Sequence, residues 1–65
     1  MRKSIMEIIR KLDENSMVVY KSEKYGFIWA GRAKFMFSNF CYQVFDMIPK
    51  SVSTDSVGAT VITVE

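Results

Sequence analysis

The chain has 65 residues, a formal net charge of +2 and no histidine. Hydrophobic residues make up 49% and charged residues 25%, which is typical of a globular chain and predicts a single domain over residues 1–65. The missing imidazole excludes metal sites and acid–base catalysis built on histidine, and the lone Cys41 excludes an intramolecular disulfide. A domain this small has little core, so we expect no large catalytic cleft and only marginal stability without a partner or a second copy.

The first predicted element is a helix that begins after Ser4. Its apolar residues recur with the spacing of one helical face, at Ile5, Ile8, Ile9 and Leu12. Ser4 with Glu7 three residues later has the form of a capping box. Asn15 and Ser16 provide a plausible end, because Asn tolerates the backbone conformation found at helix termini.

A β-hairpin is predicted next. Two runs of β-branched and aromatic residues, 17–20 and 25–30, flank the polar residues 21–24. If Tyr20 pairs with Tyr25, one face carries the bulky side chains of Val18, Tyr20, Tyr25, Phe27 and Trp29. The opposite face then carries the smaller set of Met17, Val19, Gly26, Ile28 and Ala30.

A second helix is predicted to run to Ile48, where Pro49 prevents its continuation. Its start is open: it begins near Ala33, or the sheet extends through residues 35–37 and Ser38 or Asn39 caps a shorter helix. Both alternatives place one apolar stripe on the core, formed by Phe37, Phe40, Cys41, Val44 and Ile48. Cys41 is therefore predicted to be a buried, inert thiol rather than a nucleophile.

The C-terminal part is predicted to be a polar loop over residues 51–56 followed by a strand over residues 60–64. Whether that strand is central or lies at an edge open to strand addition is left undecided. The element order is therefore α-β-β-α-β. It predicts a small single α+β domain whose helices pack on one face of a short, mainly antiparallel sheet.

Signatures of catalysis are nearly absent from the sequence. It contains no phosphate-binding glycine loop, no nucleophile elbow and no zinc-binding HExxH motif. The seven acidic residues show no spacing that predicts a carboxylate pair. We therefore expect a non-enzymatic protein with no catalytic residue, no metal and no cofactor.

The basic residues are unevenly distributed. Residues 1–34 hold eight of the nine and carry +4 after four acids are counted, whereas residues 35–65 carry −2. Aromatic side chains alternate with these cations along the hairpin and continue into the second helix. Such a pattern predicts either a buried core or an exposed binding patch. The candidate partner-binding residues are Tyr20, Tyr25, Phe27, Trp29, Phe35 and Tyr42, with a basic rim formed by Lys21, Lys24, Arg32 and Lys34.

The leading hypothesis is a small protein that binds another protein by steric occlusion. We expect a phage or mobile-element inhibitor of a host machine, because the chain resembles a complete small gene product. The alternative is a nucleic-acid-binding module that uses the basic first half and the hairpin aromatics. A homo-oligomer is also open. The sequence contains neither a signal peptide nor a membrane-spanning run, so we expect a cytoplasmic protein that does not enter a membrane.

Overall fold

The computed structural model describes residues 2–65, which form a four-stranded sheet and three short helices. In chain order the elements are α1 (Ile5–Arg10), β1 (Met17–Ser22), β2 (Gly26–Arg32), α2 (Ala33–Asn39), α3 (Tyr42–Phe45), β3 (Ser51–Thr54) and β4 (Thr60–Val64). The strands lie in the order β2-β1-β4-β3. The central pair, β1 and β4, is parallel, and each edge strand is antiparallel to its neighbour. The predicted α+β class with a mainly antiparallel sheet is confirmed.

The core lies between one face of the sheet and all three helices. Alternate residues of the central strands face it, and each helix contributes one or two buried side chains. The cluster contains Ile5, Ile9, Val18, Tyr20, Ala33, Met36, Phe45, Ile62 and Val64. Because every helix belongs to this single cluster, the helices cover one side of the sheet and leave the other side without a helix.

Helix α1 follows the prediction closely. The Ser4 side chain caps it, since its hydroxyl oxygen accepts a hydrogen bond from the Glu7 backbone N–H at 3.4 Å. The helix ends at Arg10, two residues before Leu12, the last residue of the predicted apolar face, and short of the predicted end at Asn15 and Ser16. The Ile5 N–H donates to the Met47 carbonyl at 2.9 Å, which ties the start of α1 to the segment after α3.

The hairpin is present, but its predicted register is wrong. Tyr20 pairs with Trp29 rather than with Tyr25, and the turn is confined to residues 23–25. The buried Ser22 hydroxyl accepts hydrogen bonds from the N–H groups of Lys24 and Tyr25, at 3.1 and 3.0 Å. Gly26 follows with φ of +88°, a conformation that glycine adopts at little cost. The polar residues 21 and 22 are therefore strand residues.

The predicted second helix consists of two helices separated by an extended break. It begins at Ala33, as one alternative proposed, but Phe40 and Cys41 are extended between α2 and α3. The predicted core stripe is therefore wrong: Phe37, Cys41 and Ile48 are exposed. The break lets the Phe40 ring pack edge-to-face on Tyr20, with a centroid distance of 5.2 Å. It also turns Phe45 into the core.

The predicted loop over residues 51–56 is also wrong in its first part, because residues 51–54 form the edge strand β3. Its four side chains are all exposed, and Val52 is the one apolar residue among them, so its sequence lacks the repeated alternation of apolar and polar residues that identifies a half-buried strand. β4 has the predicted bounds. It is central, between β1 and β3, which excludes strand addition on β4 itself.

Candidate partner-binding surface

The side of the sheet without helices, called here the helix-free face, is the principal unassigned surface. The strand register places on it Met17, Val19, Lys21, Phe27, Ala30, Arg32, Ser51, Ser53, Val61 and Thr63. Val19 and Val61 pair at the centre and are half-buried, whereas Met17 and Phe27 are exposed. An antiparallel or mixed sheet commonly exposes one face to water, but that face is usually polar. Here its middle is apolar.

A β-bulge places Phe27 on the helix-free face. The register shifts between Tyr20 and Lys21, so that Tyr20 pairs with Trp29 whereas Lys21 pairs with Phe27, and Ile28 is the extra residue. Without the bulge, Phe27 and Trp29 would lie on the same face, as the sequence predicted. The shift leaves the Phe27 side chain 69% exposed. The aromatic face of the hairpin is therefore divided between the two sides of the sheet.

Trp29 is held on the core side by its neighbours. Its ring contacts Phe40 edge-to-face at 5.9 Å between centroids. It also covers the backbone of Gly31, where a Cβ atom would lie 2.6 Å from the Trp29 Cζ2 atom. Gly31 thus provides the space that lets the indole lie flat against the edge strand.

The helix-free face carries positive charge from Lys21, opposite Phe27, and Arg32, opposite Met17. The strand residues described on this face include no Asp or Glu. Within residues 2–65 the only ion pair joins Lys50 to Glu23, with the Nζ and Oε2 atoms 2.6 Å apart. Its hydrogen bond and the carboxylate charge raise the pKa of Lys50. The cations of the helix-free face are therefore left free to attract an anionic group.

The structure separates the predicted anchor residues. Tyr20 is 4% exposed and belongs to the core, so it is not available to a partner, and burial raises the pKa of its hydroxyl. Trp29 is half-buried. The other four are exposed, but only Phe27 lies on the helix-free face: Tyr25 is in the hairpin turn, and Phe35 and Tyr42 lie on α2 and α3. The six residues do not form one patch.

The predicted basic rim is exposed throughout, although it surrounds no single site. The Lys24 ammonium lies 5.4 Å from the ring centroid of Tyr25, and the Lys34 ammonium lies 5.2 Å from that of Phe35. Both contacts join neighbours in the chain and hold an exposed ring beside a cation. Sequence reasoning missed the contribution of Met17, Val19 and Val61. These three residues alternate along their strands with the core residues Val18, Tyr20 and Ile62, and this alternation could have indicated that they share the opposite face of the sheet.

Open clefts lie on the described surface outside this face. One cleft of about 240 Å³ lies between α1 and α2 and is lined by Ile9, Leu12 and Phe37, with Arg10, Glu14, Ala33 and Lys34 around it.

Cys41 is exposed, contrary to prediction, and its Sγ atom lies 3.8 Å from Gln43 Oε1. At the start of the chain, a hydrogen bond with Lys3 and the charge of Lys3 lower the pKa of Lys11.

Two further properties concern the described range of the chain. Residues 2–65 contain no helix with the length and hydropathy needed to cross a bilayer. No group of three or more His, Cys, Asp or Glu side chains in the same range is arranged to hold a metal ion. Comparisons with protein-family models, curated proteins and solved structures give no match to this chain.

Proposed function

We propose that this protein binds another protein through the helix-free face. The observation that carries the proposal is an apolar centre, formed by Met17, Val19, Phe27 and Val61, on a sheet face that no described helix covers. Exposed apolar patches rimmed by polar residues commonly mark interaction sites. The large, exposed side chain of Phe27 would be the principal anchor.

The charge on this face supports a partner with acidic groups around its contact area. Lys21 and Arg32 lie beside the apolar centre, and the strand residues there include no acid to oppose them. Rim charges of this kind speed association and reject surfaces of the same sign. The proposed mechanism is steric occlusion of the partner's surface, as expected of an inhibitor encoded by a phage or mobile element.

The test is site-specific photo-crosslinking in cells of the organism that encodes the protein. A photoreactive residue at Phe27 should yield a discrete adduct that protease destroys, whereas one at Gln43, exposed on α3 in the helix layer, should not. Equal adducts from both positions, or none from position 27, would contradict the proposal.

Once crosslinking has identified the partner, its affinity can be compared for two matched variants, Phe27→Ser and Phe35→Ser. Both remove an exposed phenylalanine ring, one from the helix-free face and one from α2. Phe27→Ser should weaken binding by at least about tenfold, whereas Phe35→Ser should leave the affinity within about twofold of the unmodified protein. A larger loss of affinity for Phe35→Ser than for Phe27→Ser would place the binding site on the helix layer instead.

Single-stranded nucleic acid is the second candidate, because Lys21 is the direct cross-strand neighbour of the exposed Phe27. Sheets that bind single strands combine an aromatic ring for base stacking with nearby cations for the phosphates. Fluorescence anisotropy with deoxythymidine and uridine oligonucleotides tests this candidate. Binding should weaken steeply as salt rises and should be reduced by Phe27→Ser. No binding at low salt would exclude it.

A further inference from the structure

The edge strand β3 lacks most of the features that normally prevent an edge from pairing with another chain. Its sequence, Ser-Val-Ser-Thr, contains no charge and no proline, and it pairs with β4 without a register shift. The opposite edge, β2, is interrupted by the bulge at Ile28 and runs directly into α2. Exposed edges are usually blocked by bulges, charges, proline or a very short strand, and β3 has only the last of these, so it is the less protected edge of this sheet.

An apolar surface adjoins β3 on the helix side of the sheet. Val52 pairs with the fully buried Ile62 and therefore points to that side, yet it is 45% exposed. Beside it lies an open cleft of about 380 Å³, lined by the apolar side chains of Ile8, Ile48 and Pro49 and, around them, by Arg2, Lys3, Lys50 and Ser51. No described helix covers Val52 fully, so apolar surface extends to the end of the sheet.

The charges at the two ends of β3 favour antiparallel pairing with a second copy. Lys50 precedes the strand and Asp55 follows it. With Val52 opposite Val52 of the other copy, antiparallel pairing sets each Lys50 opposite the other copy's Thr54 and one residue from its Asp55, whereas parallel pairing would place like charges together. The Lys50 ammonium has three donors and can retain Glu23. Asp55 Oδ1 accepts from the Val57 and Ala59 N–H groups, which leaves Oδ2 for a partner.

We propose that β3 pairs antiparallel with β3 of a second copy, so that the two sheets join edge to edge. A two-fold axis perpendicular to the sheet keeps both helix layers on one side and sets the two Val52 side chains next to each other. The contact is small, because each copy contributes a four-residue strand and the apolar surface beside it. The dimer is therefore weak and reversible. It leaves the helix-free face open and does not depend on the proposed function.

Sedimentation velocity from about 5 to about 500 µM tests the proposal, because a contact of this size should dissociate within or near that range. The sedimentation coefficient should rise with concentration, and Val52→Lys should raise the dimer dissociation constant at least about tenfold. Ile28→Lys is the matched control, because Ile28 is an aliphatic residue of similar exposure, 42%, on the opposite edge. A monomer at every concentration, or equal effects of both variants, would overturn the proposal. Circular dichroism establishes that each variant is folded.

The Asp55→Asn variant tests whether the two β3 strands of the dimer run antiparallel. This variant keeps the side-chain carbonyl that accepts from Val57 and Ala59 but removes the charge. It should raise the dissociation constant about threefold and reduce the sensitivity of the dimer to salt. A dimer unaffected by both this variant and salt would refute the antiparallel arrangement.

Discussion

Phe45→Ala and Phe37→Ala form a pair of variants that distinguishes the broken helix from a continuous one. The two rings stack with their centroids 5.0 Å apart and their planes at 23°. Only Phe45 is in the core: it is 2% exposed, against 45% for Phe37. In the continuous helix that the sequence predicts, Phe37 would face the core and Phe45 would not.

The expected magnitudes follow from burial. Phe45→Ala removes a fully buried ring and should cost about 3 to 5 kcal/mol of unfolding free energy. Phe37→Ala loses one stacked contact and partial burial, so it should cost about 1 kcal/mol. At about 0.05 to 0.15 kcal/mol per residue, the whole domain has about 3 to 10 kcal/mol of stability. Phe45→Ala should therefore remove between about a third and all of the stability of the domain.

Urea denaturation followed by circular dichroism measures both variants. Phe45→Leu, which should cost about 1 to 2 kcal/mol, keeps the comparison measurable if Phe45→Ala does not fold. The denaturant slope should remain unchanged, so that midpoint shifts report stability alone. A larger loss for Phe37→Ala than for either Phe45 variant would refute the broken helix and restore the stripe predicted from sequence.

Three further predictions concern single residues of the fold. Gly58 has φ of +87°, so Gly58→Ala should lower the free energy of unfolding by about 1 to 2 kcal/mol and lower the midpoint of thermal unfolding. An unchanged midpoint would contradict that backbone geometry. Burial raises the pKa of Tyr20 above its ordinary value of 10.0, so the protein should lose stability as pH rises from 10.0 through the folded-state pKa. In urea titrations the Tyr20→Phe variant should lose less stability than the unmodified protein over the same pH range. Gly31→Ala should displace the Trp29 ring from Phe40 and shift the emission of this single tryptophan to longer wavelength, whereas unchanged emission would mean that the ring accommodates the methyl group in place.

Much of the local structure was predictable from short-range patterns. The Ser4 cap and the apolar spacing after it identify α1, and the β-branched run over residues 60–64 identifies β4 within its observed bounds. Ala33 was one of the two predicted starts of the second helix. In the structure the N–H groups of Ala33 and Lys34 donate to the carbonyls of Ser16 and Glu14, which fixes that start by tertiary contact.

The sequence could not predict which faces would be left open. Three helices provide one layer, so they cover one side of the sheet and leave Phe27 and its apolar neighbours exposed on the other. The number of apolar residues in the sequence did not show which of them would lie on the helix-free face. The bulge decided it, because one extra residue at Ile28 moves Phe27 to the face opposite Trp29.

The sequence by itself determined the class of the domain and most of its elements. Only the tertiary structure decided the helix break at Phe40, the strand β3 and the position of β4 in the centre of the sheet. The physical reason is common to all three. Each depends on contacts with another segment of the chain: Phe40 on the ring of Tyr20, the exposed β3 on its pairing with β4, and the central position of β4 on its parallel pairing with β1. Local propensity does not contain these contacts.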